Sequence, residues 1–252
     1  MEVRMKLNGA TALVTGTNRG LGHHFAVQLL QRGAKVYATA RRPELVDIPG
    51  AEVVRLDITD QSSVDAAAVL AGDVDVLINN AAFTAGGNLV TGDLDAIRMV
   101  MDSNYYGALA MIRAFAPVLA RNGGGAILNV LSAAAWTTVD GNTAYSAAKS
   151  AEWGLTNGVR VELAGQGTLV AAFVPGLIGT QTLIDYAENA GIVFPEGSVG
   201  DPAELAGFAL DGLEAGEIEI LDRLGAEAKA TLSGPPRAFD LEPAEAPRST
   251  AS

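Results

Sequence analysis

The chain has no cysteine, two histidines and only 17 basic side chains among its 252 residues. Without cysteine there is no disulfide, no thiolate nucleophile and no cysteine-ligated zinc or iron–sulfur site. His23 and His24 alone make a multi-histidine metal site unexpected, so no metal is predicted. The 29 acidic residues leave a net charge of −12. That charge repels nucleic acid and anionic membranes, both of which bind through basic surface that neutralises phosphate. Long apolar runs are missing too. The most apolar stretches are broken by Gly and Pro well short of the roughly 18 residues that read as a membrane span. The run at 10–14 is too short for a signal-peptide core. A cytoplasmic location is therefore expected, with a small molecule as partner, no nucleic acid and no membrane.

What remains is apolar and regularly interrupted. Apolar residues make up 49% of the chain. Its length suits one domain, which at this size buries roughly 70–75% of its unfolded surface. Short apolar runs at 10–14, 35–40, 53–56, 74–78, 126–131, 169–174 and 217–221 read as strands. Segments of helical character lie between them, at 23–32, 61–70, 93–103, 108–121, 143–164 and 202–214. Most strand runs are Val-, Ile-, Leu- and Ala-rich without alternation, as in strands covered on both faces. The alternation of strand and helix predicts an α/β fold. It would be a single Rossmann-type domain over 1–232, its sheet of about seven parallel strands doubly wound by flanking helices. Residues 176–200, with Gly, Pro and isolated apolar residues, read as an irregular substrate loop over a site. Residues 233–252, with Pro235, Pro236, Pro243 and Pro247, read as a flexible tail.

The first strand run ends in Thr15-Gly16-Thr17-Asn18-Arg19-Gly20-Leu21-Gly22 and leads directly into a helix. Gly16 permits a tight turn, Gly20 lets the backbone approach a pyrophosphate, and Gly22 lets the helix pack close to the sheet. The N-terminal amides of the helix then face the phosphates. A Gly-rich stretch alone is equally a flexible loop; the strand before it and the helix after it favour a dinucleotide-binding turn. The end of the second strand selects the nucleotide. An acid there bonds the ribose 2′-hydroxyl of NAD, whereas an arginine accommodates the 2′-phosphate of NADP. Here Ala40-Arg41-Arg42 follows the strand with no acid, and Arg19 in the glycine turn adds positive charge on the same side. The plain alternative is that Arg41 and Arg42 are solvated surface residues. Guanidinium groups match phosphate oxygens in a planar, two-pronged geometry. A basic cluster at that point of an acidic chain thus predicts NADPH/NADP+ in preference to NADH.

Tyr145-Ser146-Ala147-Ala148-Lys149 places Tyr and Lys four apart on the 143–164 helix, hence on one face. With five Tyr and four Lys in the chain, about 0.08 such pairs are expected by chance. A phenol with an ordinary pKa of about 10 is a poor proton donor or acceptor at neutral pH. A neighbouring ammonium stabilises the phenolate, by about 1.4 kcal/mol for each unit of lowering. It thereby brings the phenol toward the pH at which general acid–base catalysis works best. The strand run 126–131 ends at Ser132, thirteen residues before Tyr145. A hydroxyl at the carboxyl end of a parallel strand sits where open α/β sheets place their ligands. There it can hydrogen-bond a substrate oxygen and share developing charge. Asn79-Asn80-Ala81-Ala82 follows the fourth strand, and Asn104 sits between two helical stretches.

With these motifs in this order the chain resembles the short-chain dehydrogenase/reductase family, in its type of about 250 residues, over 7–225. The resemblance implies an Asn–Ser–Tyr–Lys tetrad at Asn104, Ser132, Tyr145 and Lys149. In it the Tyr gives or takes the proton and the Ser orients the carbonyl. The Lys binds the nicotinamide ribose and eases ionisation of the Tyr, while the Asn holds a proton-relay water through its helix. Further cofactor contacts are implied at Asp57 and Ile58 for adenine, and at Asn80 and Ala81. Pro175-Gly176-Leu177-Ile178-Gly179-Thr180 matches another family segment, with Thr180 and the Ile178 backbone near the carboxamide. The family also implies a homo-oligomer, a dimer or tetramer built through helices. Three features depart from its pattern. Ala82 stands for a Gly, placing a Cβ where the family tolerates positive φ. Leu131 stands where another Ser is common, and the chain beyond Leu221 does not follow the family ending.

Apolar residues at 133–139 and 177–194 flank the predicted nicotinamide position, which points to a hydrophobic carbonyl substrate. Ser132, Ala134, Trp136, Tyr145, Leu177 and Ile184 are the expected substrate contacts. The expected activity is NADPH-dependent reduction of a ketone or aldehyde, reversible as secondary-alcohol oxidation. A 3-oxoacyl-[acyl-carrier-protein] reductase is the alternative enzyme, although an acidic carrier needs basic docking surface. Arg98, Arg113 and Arg121 could still form such a surface locally. A non-catalytic NADP-sensing protein is the alternative outside enzymes, and an intact Ser132–Tyr145 pair argues against it.

Overall fold

The computed structural model describes residues 5–191 and 193–234, so the segment expected as a tail lies outside the described residues from 235 onward. The first half runs β1 (Thr11–Thr15), α1 (Gly20–Gln31), β2 (Lys35–Ala40), β3 (Glu52–Arg55), α2 (Gln61–Leu70) and β4 (Val76–Asn79). It continues through α3 (Leu94–Met101), a π-helical turn (Asp102–Tyr106), α4 (Gly107–Arg121) and β5 (Ala126–Val130). The second half comprises α5 (Thr143–Glu162), β6 (Leu169–Val174), β7 (Leu177–Ile178) and α6 (Gln181–Ala190). It closes with β8 (Val199–Gly200), α7 (Pro202–Ala215), β9 (Glu219–Leu221) and α8 (Arg223–Ala230).

Seven strands form one parallel sheet in the order β3-β2-β1-β4-β5-β6-β9. Every residue of β1, β4, β5 and β6 is buried, which is why their sequences are mostly apolar without alternation. β3 lies at the edge and is mostly exposed. Successive residues of a strand serve opposite faces. Ala12 and Val14 meet Phe25 and Leu29 of α1 and Leu205 and Leu210 of α7. Leu13, between them, packs with Val64 of α2 and Met111 and Phe115 of α4. Fully burying each such side chain contributes about 1.5–3 kcal/mol, so both helical layers are held to the sheet by hydrophobic burial. Asp60, Asp201 and Asp222 cap α2, α7 and α8 by accepting first-turn amides, each cap contributing about 1 kcal/mol.

Three elements differ from the sequence reading. α1 begins at Gly20 rather than at 23, so the last glycines of the turn already belong to its first turn. The segment 176–200 is not wholly irregular. α6 occupies its middle, ending on left-handed Gly191, and β7 pairs in parallel with β8 so that both ends of the excursion are tied together. α8 follows β9 directly. Gly225 carries no Cβ because one would stand 2.1 Å from the Val174 carbonyl oxygen, so α8 lies hard against the end of β6. The substitution of Ala82 for Gly brings no strain: no non-glycine residue among those described has a positive φ.

Candidate active site

The strand order reverses between β1 and β4, and open α/β sheets bind ligands outside the carboxyl ends of the strands at such a point. The turn after β1 is fastened there from its neighbours. Thr15 Oγ1 accepts the backbone N–H groups of Asn80 and Ala81, both at 2.9 Å. The Asn80 side-chain amide donates back to the Thr15 carbonyl at 2.8 Å and the Gly16 carbonyl at 3.2 Å. From β2, the Thr39 carbonyl accepts the Thr17 N–H at 2.9 Å. Gly16 needs its positive φ of 73°, and a Cβ on Gly22 would stand 2.3 Å from the Gly16 oxygen. Gly20 lies next to Thr180, whose methyl is 3.2 Å from where its Cβ would be. This is a backbone cradle that side chains would fill.

Arg19 precedes α1 in extended conformation without a side-chain cap, and the first turn holds no acid. The free amides and the positive end of the helix dipole therefore favour an anion. Leu21 is buried in the core and Asn18 is half-buried. Arg19, Arg41 and Arg42 are exposed, and none joins an ion pair among the described residues. At the end of β3, Asp57 Oδ1 accepts the amide and hydroxyl of Thr59, and Ile58 packs where Gly107 leaves room. The residues present fit a dinucleotide bearing a phosphorylated ribose.

Beside this cradle the α5 face carries Tyr145 and Lys149. Lys149 is 2% exposed. Its ammonium donates to the Val130 carbonyl at the end of β5, at 2.9 Å, and lies 5.7 Å from the centre of the Tyr145 ring. Ser132 follows two residues after Val130, and its Oγ accepts the Ala134 amide at 3.2 Å. Asn104 is buried in the π-helical turn, its side-chain amide donating to the Phe83 and Val100 carbonyls at 2.7 and 2.8 Å. That amide is spent on backbone, which fixes the break between α3 and α4. All four predicted tetrad positions thus lie on elements that meet α5 at the carboxyl edge of the sheet. A half-buried phenol, a charged amine and a strand-end hydroxyl in this arrangement can exchange a proton with a ligand oxygen.

Lys149 also has a partner the sequence reading did not single out. Its ammonium donates to Glu152 Oε2 at 2.7 Å, within a pair exposed by only 2% and 3%. Burial alone would depress the Lys149 ammonium; the charges of Glu152 and Tyr145 and the hydrogen bond outweigh it and hold it above the ordinary lysine value. Burial pushes the Glu152 carboxyl up, while Lys149 pulls it the other way.

The expected substrate contacts scatter more widely. Ala134 is buried, Leu177 is half-buried in β7, and Ile184 is exposed on α6. Trp136 lines a small cavity with Leu89 and Ser146, and the walls of that cavity include neither Ser132 nor Tyr145. The Trp136 ring also stacks edge-on with Trp153, centroids 5.9 Å apart, under the Lys229 ammonium of α8. Gly176 is held from α8, because its N–H donates to Asp222 Oδ2 at 2.8 Å and a Cβ there would strike Leu224.

A model of the short chain dehydrogenase family matches residues 10–191. The chain belongs to that family. Like its members it is an oxidoreductase. A short-chain dehydrogenase from Burkholderia cenocepacia, solved in complex with NADP, superimposes with a TM-score of 0.82 at 37% identity. That match covers 91% of this chain and 94% of the other. The 3-oxoacyl-[acyl-carrier-protein] reductase of Vibrio cholerae is 32% identical over 216 residues, 80% of this chain and 88% of the relative. The NADPH-dependent 1-acyldihydroxyacetone phosphate reductase of Schizosaccharomyces pombe is 35% identical over 181 residues. This chain spans 60% of that relative's length, the match covering 68% of the chain itself. Among the described residues no helix is long and apolar enough to cross a membrane.

For a short-chain dehydrogenase of this kind, the sequence did hold a clue to Glu152. Ala144, Ala148, Glu152, Thr156 and Val159 are the buried stripe of α5, and a carboxylate at that spacing requires a buried cation. Asp222 was harder to find, because its partner, Gly176, is a backbone amide 46 residues away.

Proposed function

We propose that the chain is an NADPH-dependent reductase of ketones or aldehydes that also oxidises the corresponding secondary alcohols. The observation that carries this reading is the Tyr145–Lys149 face anchored to the end of β5 two residues before Ser132. In this reading Gly16, Asn18, Arg19, Gly20, Leu21 and Gly22 hold the pyrophosphate and Arg41 and Arg42 the 2′-phosphate. Asp57 and Ile58 border adenine, Asn80 and Ala81 the turn, and Pro175, Gly176, Ile178 and Thr180 the nicotinamide end. Preference for NADPH is supported by three guanidinium groups that join no ion pair among the described residues, on a chain of net charge −12. When bound, reduced nicotinamide would supply the hydride that the carbonyl carbon takes up. Tyr145 gives its phenolic proton to the carbonyl oxygen and Ser132 donates a hydrogen bond to the same oxygen. Lys149 stabilises the phenolate left behind.

The 3-oxoacyl reading is favoured by the Vibrio cholerae relative, which this chain matches over most of its length. It is weakened by the surface, where Arg98 already pairs with Asp95. Homo-oligomer formation is supported by the open face of α5, where Gly154, Gly158 and Val161 are exposed.

The test is Tyr145→Phe. Turnover of NADPH with a carbonyl panel of aryl ketones, steroids, diketones and acyl thioesters should fall on the order of a hundred- to ten-thousandfold. NADPH affinity measured by calorimetry should stay within about twofold. A wild-type protein that binds NADPH but reduces nothing in the panel refutes the reading.

A further inference from the structure

Glu152 is the buried titratable group that the proton transfer just described leaves without a role. It sits one helical turn beyond Lys149, 2% exposed, with its carboxylate 2.7 Å from the ammonium. An ammonium has three donors. Two are committed here, to Glu152 and to the Val130 carbonyl. Lys149 feels the charges of Glu152 and Tyr145, and Glu152 feels that of Lys149. The elements packed on α5 carry little else. The strand β6 and the turn at Ala133–Ala135 have no titratable side chain. On α3, Asp95 and Arg98 are exposed and paired with each other, and the π-helical turn carries exposed Asp102 with Tyr105 and Tyr106. Glu219 of β9 and Lys229 of α8 pair with each other beside Trp153.

Resting on the reading of Tyr145 as proton donor, we propose that Glu152 is a positioning residue that sets the pH range over which reduction and oxidation each run. Its carboxylate pins the Lys149 ammonium against β5 and offsets part of that ammonium's field at the Tyr145 phenol. Removing that carboxylate should let the phenol give up its proton more readily, which helps oxidation at the expense of reduction. A unit charge about 8 Å away at an effective dielectric of about 20 moves a titration by about one to one and a half pH units. The 2.7 and 5.7 Å steps from carboxylate to ammonium to ring centre set the upper bound of that separation.

The experiment compares wild type, Glu152→Gln and Glu152→Asp by tyrosinate absorbance between about pH 7 and pH 12. Each is read against the same protein carrying Tyr145→Phe, which isolates that ring. The Tyr145 midpoint should move down by about one pH unit in Glu152→Gln, and by less in Glu152→Asp, which keeps the charge on a shorter arm. The acid limb of the alcohol-oxidation kcat profile should move with it while KM for the alcohol changes little. A lowered kcat with an unmoved midpoint marks a merely structural residue and overturns the proposal, as does an equal shift in both variants. Should Glu152→Gln not fold, Glu152→Asp decides alone: a midpoint at or above wild type overturns it. The absorbance titration needs neither substrate nor nucleotide. A shifted midpoint in a protein that reduces no carbonyl would therefore refute the reductase reading and leave the coupling standing.

Discussion

Replacing Gly22 by alanine puts the backbone cradle under direct load. In an open helical position this change stabilises a protein by up to about 1 kcal/mol, because alanine is the better helix former. At Gly22 the sign should reverse. The new Cβ would stand 2.3 Å from the Gly16 oxygen and 2.4 Å from the Asn80 side-chain nitrogen, about 1 Å inside ordinary contact. Either α1 lifts from the sheet or Asn80 leaves the Thr15 and Gly16 carbonyls. Overpacking of this kind costs about 1–3 kcal/mol, and each lost hydrogen bond about 0.5–1.5 kcal/mol. A net destabilisation of about 2–4 kcal/mol follows, measured as the shift in urea midpoint by circular dichroism at constant m-value. Gly154→Ala and Gly158→Ala, read at concentrations where the protein is monomeric, are the controls, since nothing within the chain lies within 4 Å of a Cβ at either position; both should gain about 0.5–1 kcal/mol. Calorimetry should also find NADPH affinity reduced at least about tenfold in Gly22→Ala, corresponding to about 1.4 kcal/mol. A variant as stable as wild type, with unchanged nucleotide affinity, would refute the reasoning from close packing.

Arg41→Ala should raise KM for NADPH at least about tenfold and leave KM for NADH within about twofold, because only the former has a 2′-phosphate to lose; equal effects would remove Arg41 from nucleotide selection. Lys149→Met leaves Glu152 buried without its counter-charge and should cost about 3–5 kcal/mol, whereas Lys149→Met/Glu152→Leu should return to within about 1 kcal/mol of wild type or exceed it. In the single variant the carboxyl titrates above its unfolded value, so its penalty should be absent at low pH and grow as pH rises through that titration, which urea midpoints across pH will show. Glu219 has the opposite sign. Burial would raise its carboxyl, but hydrogen bonds from Lys229 and Trp153 and the charges of Lys229 and Arg160 hold it below the ordinary glutamate value. Its stabilisation should be present above the ordinary carboxylate range and vanish as pH falls through it, so wild type and Glu219→Gln should converge in acid.

The sheet was legible because its strands are covered on both faces, and burial on both sides leaves a continuous apolar trace in the sequence. The glycine turn and the Tyr145–Lys149 pair were legible because their chemistry is local, written within eight residues in one case and five in the other. The elements that escaped depend on distant partners. α6 has a sparsely apolar face. α8 gets its place from Leu224 against Gly176, Gly225 against Val174, and Lys229 against Glu219. None of these contacts has a periodic signature. Glu152 escaped for another reason. A glutamate on a helix is ordinarily solvated, and only the surrounding stripe of small buried residues marks it as an exception.

The edge-on stack of Trp136 on Trp153 has a practical consequence, because these are the chain's two tryptophans. Nearly all of the protein's long-wavelength ultraviolet emission must then originate from one corner, where the loop after β5, α5 and α8 meet. An emission change on adding a ligand reports on that corner, with no label attached. For the same reason, melting followed by emission tracks the docking of α8, and where it departs from the far-ultraviolet signal the C-terminal helix has come away before the sheet.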